Sequence, residues 1–115
     1  MTVLYGIRNC DTVKKARRWL DAAGVDYHFH DLRADGLQRE MLERWNRALG
    51  WENLLNRRGT TWRKLPEAVQ AGIDEARALD LMMEQPTLIK RPVVEHREGF
   101  MVGFREAEYA AMFQQ

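Results

Sequence analysis

Within its first 31 residues the chain changes hydrophobic period twice, and this switch restricts the fold more than any other feature. Thr2–Tyr5 is a short apolar run with a β-branched residue and an aromatic, closed by Gly6, as expected of a strand. After Asp11, a candidate N-cap, apolar residues recur at Val13, Ala16, Leu20 and Ala23. Lys14, Lys15, Arg17 and Arg18 lie between them, and Gly24 supplies a stop, which predicts an amphipathic helix. Val25, Tyr27 and Phe29 then alternate with Asp26, His28 and His30, a period of two that predicts a second strand with one buried face. A strand, helix, strand unit of about 30 residues normally lays its strands parallel with the helix on one face.

The rest of the chain continues in the same mixed style. Leu37, Met41, Leu42, Trp45 and Leu49 have helical spacing up to Gly50, and Ile73, Ala76, Leu79 and Met83 give a further helix over Ile73–Glu84. Between them Asn56-Arg57-Arg58-Gly59-Thr60-Thr61-Trp62 reads as a polar, basic loop; the tryptophans mostly fall at helix positions that can be core, and Trp51 or Trp62 could equally be exposed covers of the insertion. Thr87–Ile89 and Val93–Glu95 are β-rich pieces flanking Lys90-Arg91-Pro92. Phe100–Phe104 is a further strand after the turn His96–Gly99, and Tyr109, Met112 and Phe113 mark a last helix over Glu106–Phe113. The order βαβ, helical insertion, ββα is an α/β arrangement with a mixed sheet, the thioredoxin-like layout. The expectation is a single domain over 1–115 with the insertion at about 36–85.

Charge and cysteine content narrow the chemistry. The 18 basic and 17 acidic residues leave a net charge of +1, so no whole-molecule field favours nucleic acid or an anionic membrane. No apolar run is long enough to span a bilayer and the N-terminus lacks a signal peptide, so a cytoplasmic monomer is expected. Cys10 is the one cysteine, which rules out an internal disulfide. It falls between the first strand and the first helix, where unpaired backbone N–H groups and the positive end of the helix dipole favour a thiolate. Arg8, Lys14 and Lys15 are the local cations. A strand-to-helix loop is a more natural place for a reactive thiol than for a buried structural one. His28, His30 and His96 show no metal-ligand spacing, so no metal is expected.

The segment Tyr5-Gly6-Ile7-Arg8-Asn9-Cys10-Asp11-Thr12-Val13-Lys14-Lys15-Ala16 resembles the active-site loop of YffB-type proteins in the arsenate reductase (ArsC) family. The resemblance continues through Leu54–Thr60, Pro86–Val94 and Val102–Arg105. It implies a thioredoxin-like core, a nucleophilic Cys10, and three arginines gathered around it. Arg91 and Arg105 are two of these, and the third is Arg57 or Arg58. Pro92 is implied as a cis-proline beside the thiol. Arg8, Asn9, Thr12, Arg57, Arg58, Arg91, Pro92 and Arg105 are accordingly read as substrate-binding. A guanidinium offers planar, permanently charged donors that suit carboxylates and oxyanions.

The function expected is a thiol-dependent reductase with no bound cofactor. With one cysteine, exchange must pass through a mixed disulfide with a small thiol such as glutathione, or be completed by a partner such as a glutaredoxin. Two alternatives stand beside it. Family arsenate reductases have a Cys-Gly-Thr-Ser-Arg run and a histidine four residues before the cysteine, whereas this chain has Cys10-Asp11-Thr12-Val13-Lys14 and Gly6. The related Spx regulators bind RNA polymerase, and many carry a Cys-x-x-Cys switch whose second position is Val13 here.

Overall fold

The structure, a computed structural model, describes residues 1–113, so the last two residues of the expected domain lie outside the described residues. In chain order the elements are β1 (Thr2–Gly6), α1 (Asp11–Ala22), β2 (His28–Asp31), α2 (Arg39–Leu49), α3 (Trp51–Leu54), α4 (Thr60–Arg63), α5 (Glu67–Ala71) and α6 (Glu75–Glu84). A 3₁₀ turn (Pro86–Leu88), β3 (Val93–His96), β4 (Gly99–Val102) and α7 (Glu106–Phe113) follow. They form two compact units, one made of Met1–Gly36 with the chain from Arg91 onward, the other of Leu37–Lys90.

The first unit carries a four-stranded sheet in the order β2-β1-β3-β4. β1 runs parallel to β2 with Leu4 opposite Phe29, and antiparallel to β3 with Tyr5 opposite Val93. β3 and β4 form an antiparallel hairpin. The parallel pair joined through α1 follows from the first period switch, and the mixed sheet with its helices is the thioredoxin-like fold. Leu4, Val13, Ala16, Leu20, Val94 and Tyr109 make its core. Tyr109 is held there by edge-on contacts with Trp19 at 5.7 Å and Phe104 at 4.8 Å, and its hydroxyl donates to the Gly103 carbonyl at 2.8 Å. Burial raises the pKa of that phenol.

Several boundaries differ from the periodicity: α6 opens at Glu75 behind the Asp74 cap and not at Ile73, α2 opens at Arg39 and not at Leu37, and three others lie in the first unit. The N-cap of α1 is Cys10, in extended conformation, while Asp11 is the first helical residue, where its charge suits the helix N-terminus. β2 starts at His28 and not at Val25. Gly24 turns the chain at φ +71°, and the Val25 N–H is spent on the Leu20 carbonyl, so Val25–Tyr27 serve as a connection that still packs on the core. β4 ends at Val102 because Gly103, at φ +85°, leaves the sheet and donates its N–H to the Pro92 carbonyl.

The second unit buries Leu42 and Trp45 of α2, Ala78, Leu79 and Met82 of α6, and Leu54, Leu55, Trp62, Leu88 and Ile89. Thr87–Ile89 was expected to be β. It is instead largely the 3₁₀ turn opened by Pro86, and Ile89 makes only an isolated bridge with Leu55, flanked by Asn56 N–H to Leu88 O and Lys90 N–H to Leu54 O. The expected loop of 56–62 is shorter than its composition suggests, because α4 starts at Thr60 and draws Trp62 inside. Of the two readings left open for these indoles, Trp62 is therefore core, and Trp51 is half-buried.

Candidate active site

Cys10 sits where β1 hands over to α1. Its carbonyl accepts the Lys14 N–H at 3.0 Å, opening the helix, while its side chain makes no capping bond and packs half-buried against the edge of the core. The thiol is thus neither a core group nor a freely waving one. Gly6 makes this close approach of strand and helix feasible: a β-carbon there would stand 2.8 Å from Val13 Cγ2, nearer than side chains tolerate.

Strand register brings the other expected residues of this unit to the same end of the sheet. Tyr5 pairs with Val93, so Pro92 lies beside the exit of β1 toward Cys10, and the Arg91–Pro92 peptide bond is cis. Pro92 is buried and Arg91 half-buried. Gly103 is tied to Pro92 across the hairpin, which puts Arg105 just beyond that end. Arg105 is 81% exposed, and its Nη1 lies 3.5 Å from Glu108 in the first turn of α7. Asn9 and Thr12 are exposed on the loop and on the first turn of α1.

Arg8 takes a different course from the one its sequence position suggests. Its Nε lies 3.4 Å from Asp31 Oδ2 and its guanidinium 5.6 Å from the centroid of Phe29, so it reaches toward β2. Arg17 of α1 covers the same Phe29 at 4.2 Å and donates from Nε to the Tyr27 hydroxyl at 3.0 Å. Asp31 was not among the expected site residues. Burial pushes its carboxyl up, but the backbone N–H groups of Ala34 and Arg33 and the Arg8 charge outweigh that, holding it below the ordinary value. An aspartate closing an alternating strand just before Asp35-Gly36 is a readable Asx-turn signal. Its partner Arg8, in contrast, lies too far away in sequence to be read locally.

Arg57 and Arg58 belong to the insertion. The Arg57 guanidinium rests against Trp62 at 5.4 Å and Trp51 at 6.0 Å, while the Arg58 N–H bonds the Asn56 side chain at 3.2 Å. Among the described residues no group of three or more His, Cys, Asp or Glu is placed to hold a metal ion, and no described helix is long and apolar enough to cross a membrane.

The ArsC family profile matches residues 5–112, and the chain belongs to the ArsC family. A solved structure described as YFFB (PA3664) protein is 54% identical, covers 97% of this chain and 98% of its own, and superposes with a TM-score of 0.93. The solution structure of an arsenate reductase (ArsC) related protein from Brucella melitensis is 52% identical over 99% of this chain and 95% of that one, with a TM-score of 0.80. The global transcriptional regulator Spx of Streptococcus pyogenes serotype M3 is 27% identical over 113 residues, 96% of this chain and 84% of Spx.

Proposed function

We propose that this chain is a glutathione-linked thiol reductase in which Cys10 is the nucleophile. The observation that carries the reading is a lone, half-buried cysteine at the N-cap of α1, at the sheet end to which the strand register also brings Arg91 and Pro92. The Cys10 thiolate attacks one sulfur of a disulfide, forming a Cys10–S–S bond and expelling the other sulfur as a thiolate that takes up a proton. A glutathione thiolate then attacks the substrate sulfur of the mixed disulfide, freeing Cys10 and leaving a glutathione–substrate disulfide. A second glutathione thiolate splits that disulfide into oxidised glutathione and the second substrate thiolate, which takes up a proton. Two electrons pass from two glutathiones to the substrate disulfide, and the products are two reduced thiols and oxidised glutathione. No second protein sulfur is needed. Arg91 and Arg105 are assigned to the glutathione carboxylates, for which guanidinium donors are well shaped. Such chemistry belongs in a compartment where thiols are kept reduced, the cytoplasm.

Arsenate is the weaker substrate on a specific observation. Two of the departures from the arsenate reductase pattern, Gly6 and Val13, are physically coupled, since the Val13 methyls occupy the space that any side chain at position 6 would need. Val13 is a fully buried core residue that offers no hydroxyl donor, and the exposed Asp11 on the first turn of α1 adds a negative charge next to Cys10, which disfavours an oxyanion there.

Incubation with oxidised glutathione should add the mass of one glutathione to the native chain and nothing to Cys10→Ser. With glutathione as electron source, the native chain should also reduce a small mixed disulfide and the variant should not. A native chain that alkylates readily at Cys10 yet takes up no glutathione would falsify the reading.

A further inference from the structure

We propose that Asp31 is a positioning residue for the Cys10 loop: its carboxylate fixes Arg8, two residues ahead of the thiol, and thereby sets where the loop delivers the sulfur. The inference rests on Cys10 being the reacting group. β1 ends at Gly6, and the chain must then reach the start of α1 through Ile7-Arg8-Asn9, of which only Ile7 is buried. The ladder continues one residue further, through Leu32 N–H to Gly6 O at 2.8 Å, and beyond that point the hold comes from Asp31.

Asp31 is well braced for this task. Its Oδ1 accepts the N–H groups of Arg33 at 2.8 Å and Ala34 at 3.1 Å, leaving Oδ2 to face Arg8. Asp35 locks the turn from the other side, accepting the Asp31 N–H on its carboxylate at 2.9 Å and donating its own N–H to the Asp31 carbonyl at 2.8 Å. The Asp31 side chain is 7% exposed. An asparagine would serve such a turn equally well, through the same side-chain oxygen. The turn N–H groups of Ala34 and Arg33 hold one carboxylate oxygen and the Arg8 guanidinium faces the other, so the charge that distinguishes this aspartate from an asparagine is met by Arg8 on the Oδ2 side. Arg8 in turn lies against Phe29, which Arg17 covers as well, so the loop is tied to β2 and, through one ring, to α1 on the far side of Cys10.

The experiment uses the full chain with Asp31→Asn, Arg8→Gln, the double variant and Arg8→Lys, at a temperature where all are folded by circular dichroism. Two rates are measured on each sample: alkylation of Cys10 by iodoacetamide, a neutral reagent, and exchange with oxidised glutathione. Each single variant should slow alkylation by about three- to tenfold and the double by no more than either, the signature of a pair acting through one contact. Arg8→Lys should recover part of the rate, since a point charge still faces Oδ2. Unchanged alkylation with a lowered melting temperature would reduce Asp31 to a structural group and overturn the proposal, as would losses that multiply in the double variant. The glutathione rate of the native chain decides the reductase reading separately.

Discussion

Gly6 and Val13 show how a single missing side chain shapes this molecule. With its Cγ2 2.8 Å from where a β-carbon at position 6 would stand, Val13 allows no larger residue there without moving. Gly6→Ala should therefore lower the unfolding free energy by about 1–3 kcal/mol, the usual range for overpacking, as read from urea denaturation. Val13→Ala removes the obstructing methyls, so Gly6→Ala in that background should cost clearly less, and two additive losses would show that the contact is not the cause. Both residues were visible in the sequence as a strand-closing glycine and an apolar helix position. Their mutual contact was not, because it depends on how closely α1 crosses the end of β1. Cys10 was legible for the opposite reason: its place between a strand and a helix is a local property. Arg8 was read as a cation for the thiol, and its commitment to Asp31 emerged only when the turn after β2 was brought beside it.

At the level of elements, the β3–β4 hairpin turns through Arg97 and Glu98, and Arg97 has a φ of 57°. A side chain in that left-handed conformation costs roughly 1 kcal/mol, which glycine avoids. Arg97→Gly should accordingly raise the melting temperature by a few degrees, and a fall would mean that glycine's freedom in the unfolded chain outweighs the relieved strain. Hydrophobic period recovered most elements: α1, α2, α6 and α7 lie where apolar spacing predicted helices, and the hairpin lies where turn residues predicted it. It failed where backbone hydrogen bonds, and not side chains, decide the element. Val25–Tyr27 keep a strand-like alternation yet make no ladder, since Gly24 first redirects the chain and Val25 bonds back to α1. Thr87–Ile89 has strand-like residues, but Pro86 opens a 3₁₀ turn and the backbone of 88–90 bonds to 54–56.

For the molecule as a whole, Asp31 couples stability to acid. Its carboxyl titrates below the ordinary value in the folded state, so the unfolded chain takes up its proton first as pH falls. The contribution of this group is complete above the unfolded carboxyl range, near 3.8, and is lost as pH drops through the lower folded value. Urea midpoints followed between pH 6 and pH 2.5 should decline less steeply at the acid end for Asp31→Asn than for the native chain, and parallel curves would deny Asp31 that role. The sequence by itself determined the class of fold, the lone cysteine at a helix start and the family, because period, turn residues and a motif are written in neighbouring positions. Tertiary structure alone decided which distant charged groups meet: Arg8 with Asp31, Arg39 with Asp80. Such pairings depend on distance through space and on the water removed around a carboxylate, and neither quantity exists until the chain has folded.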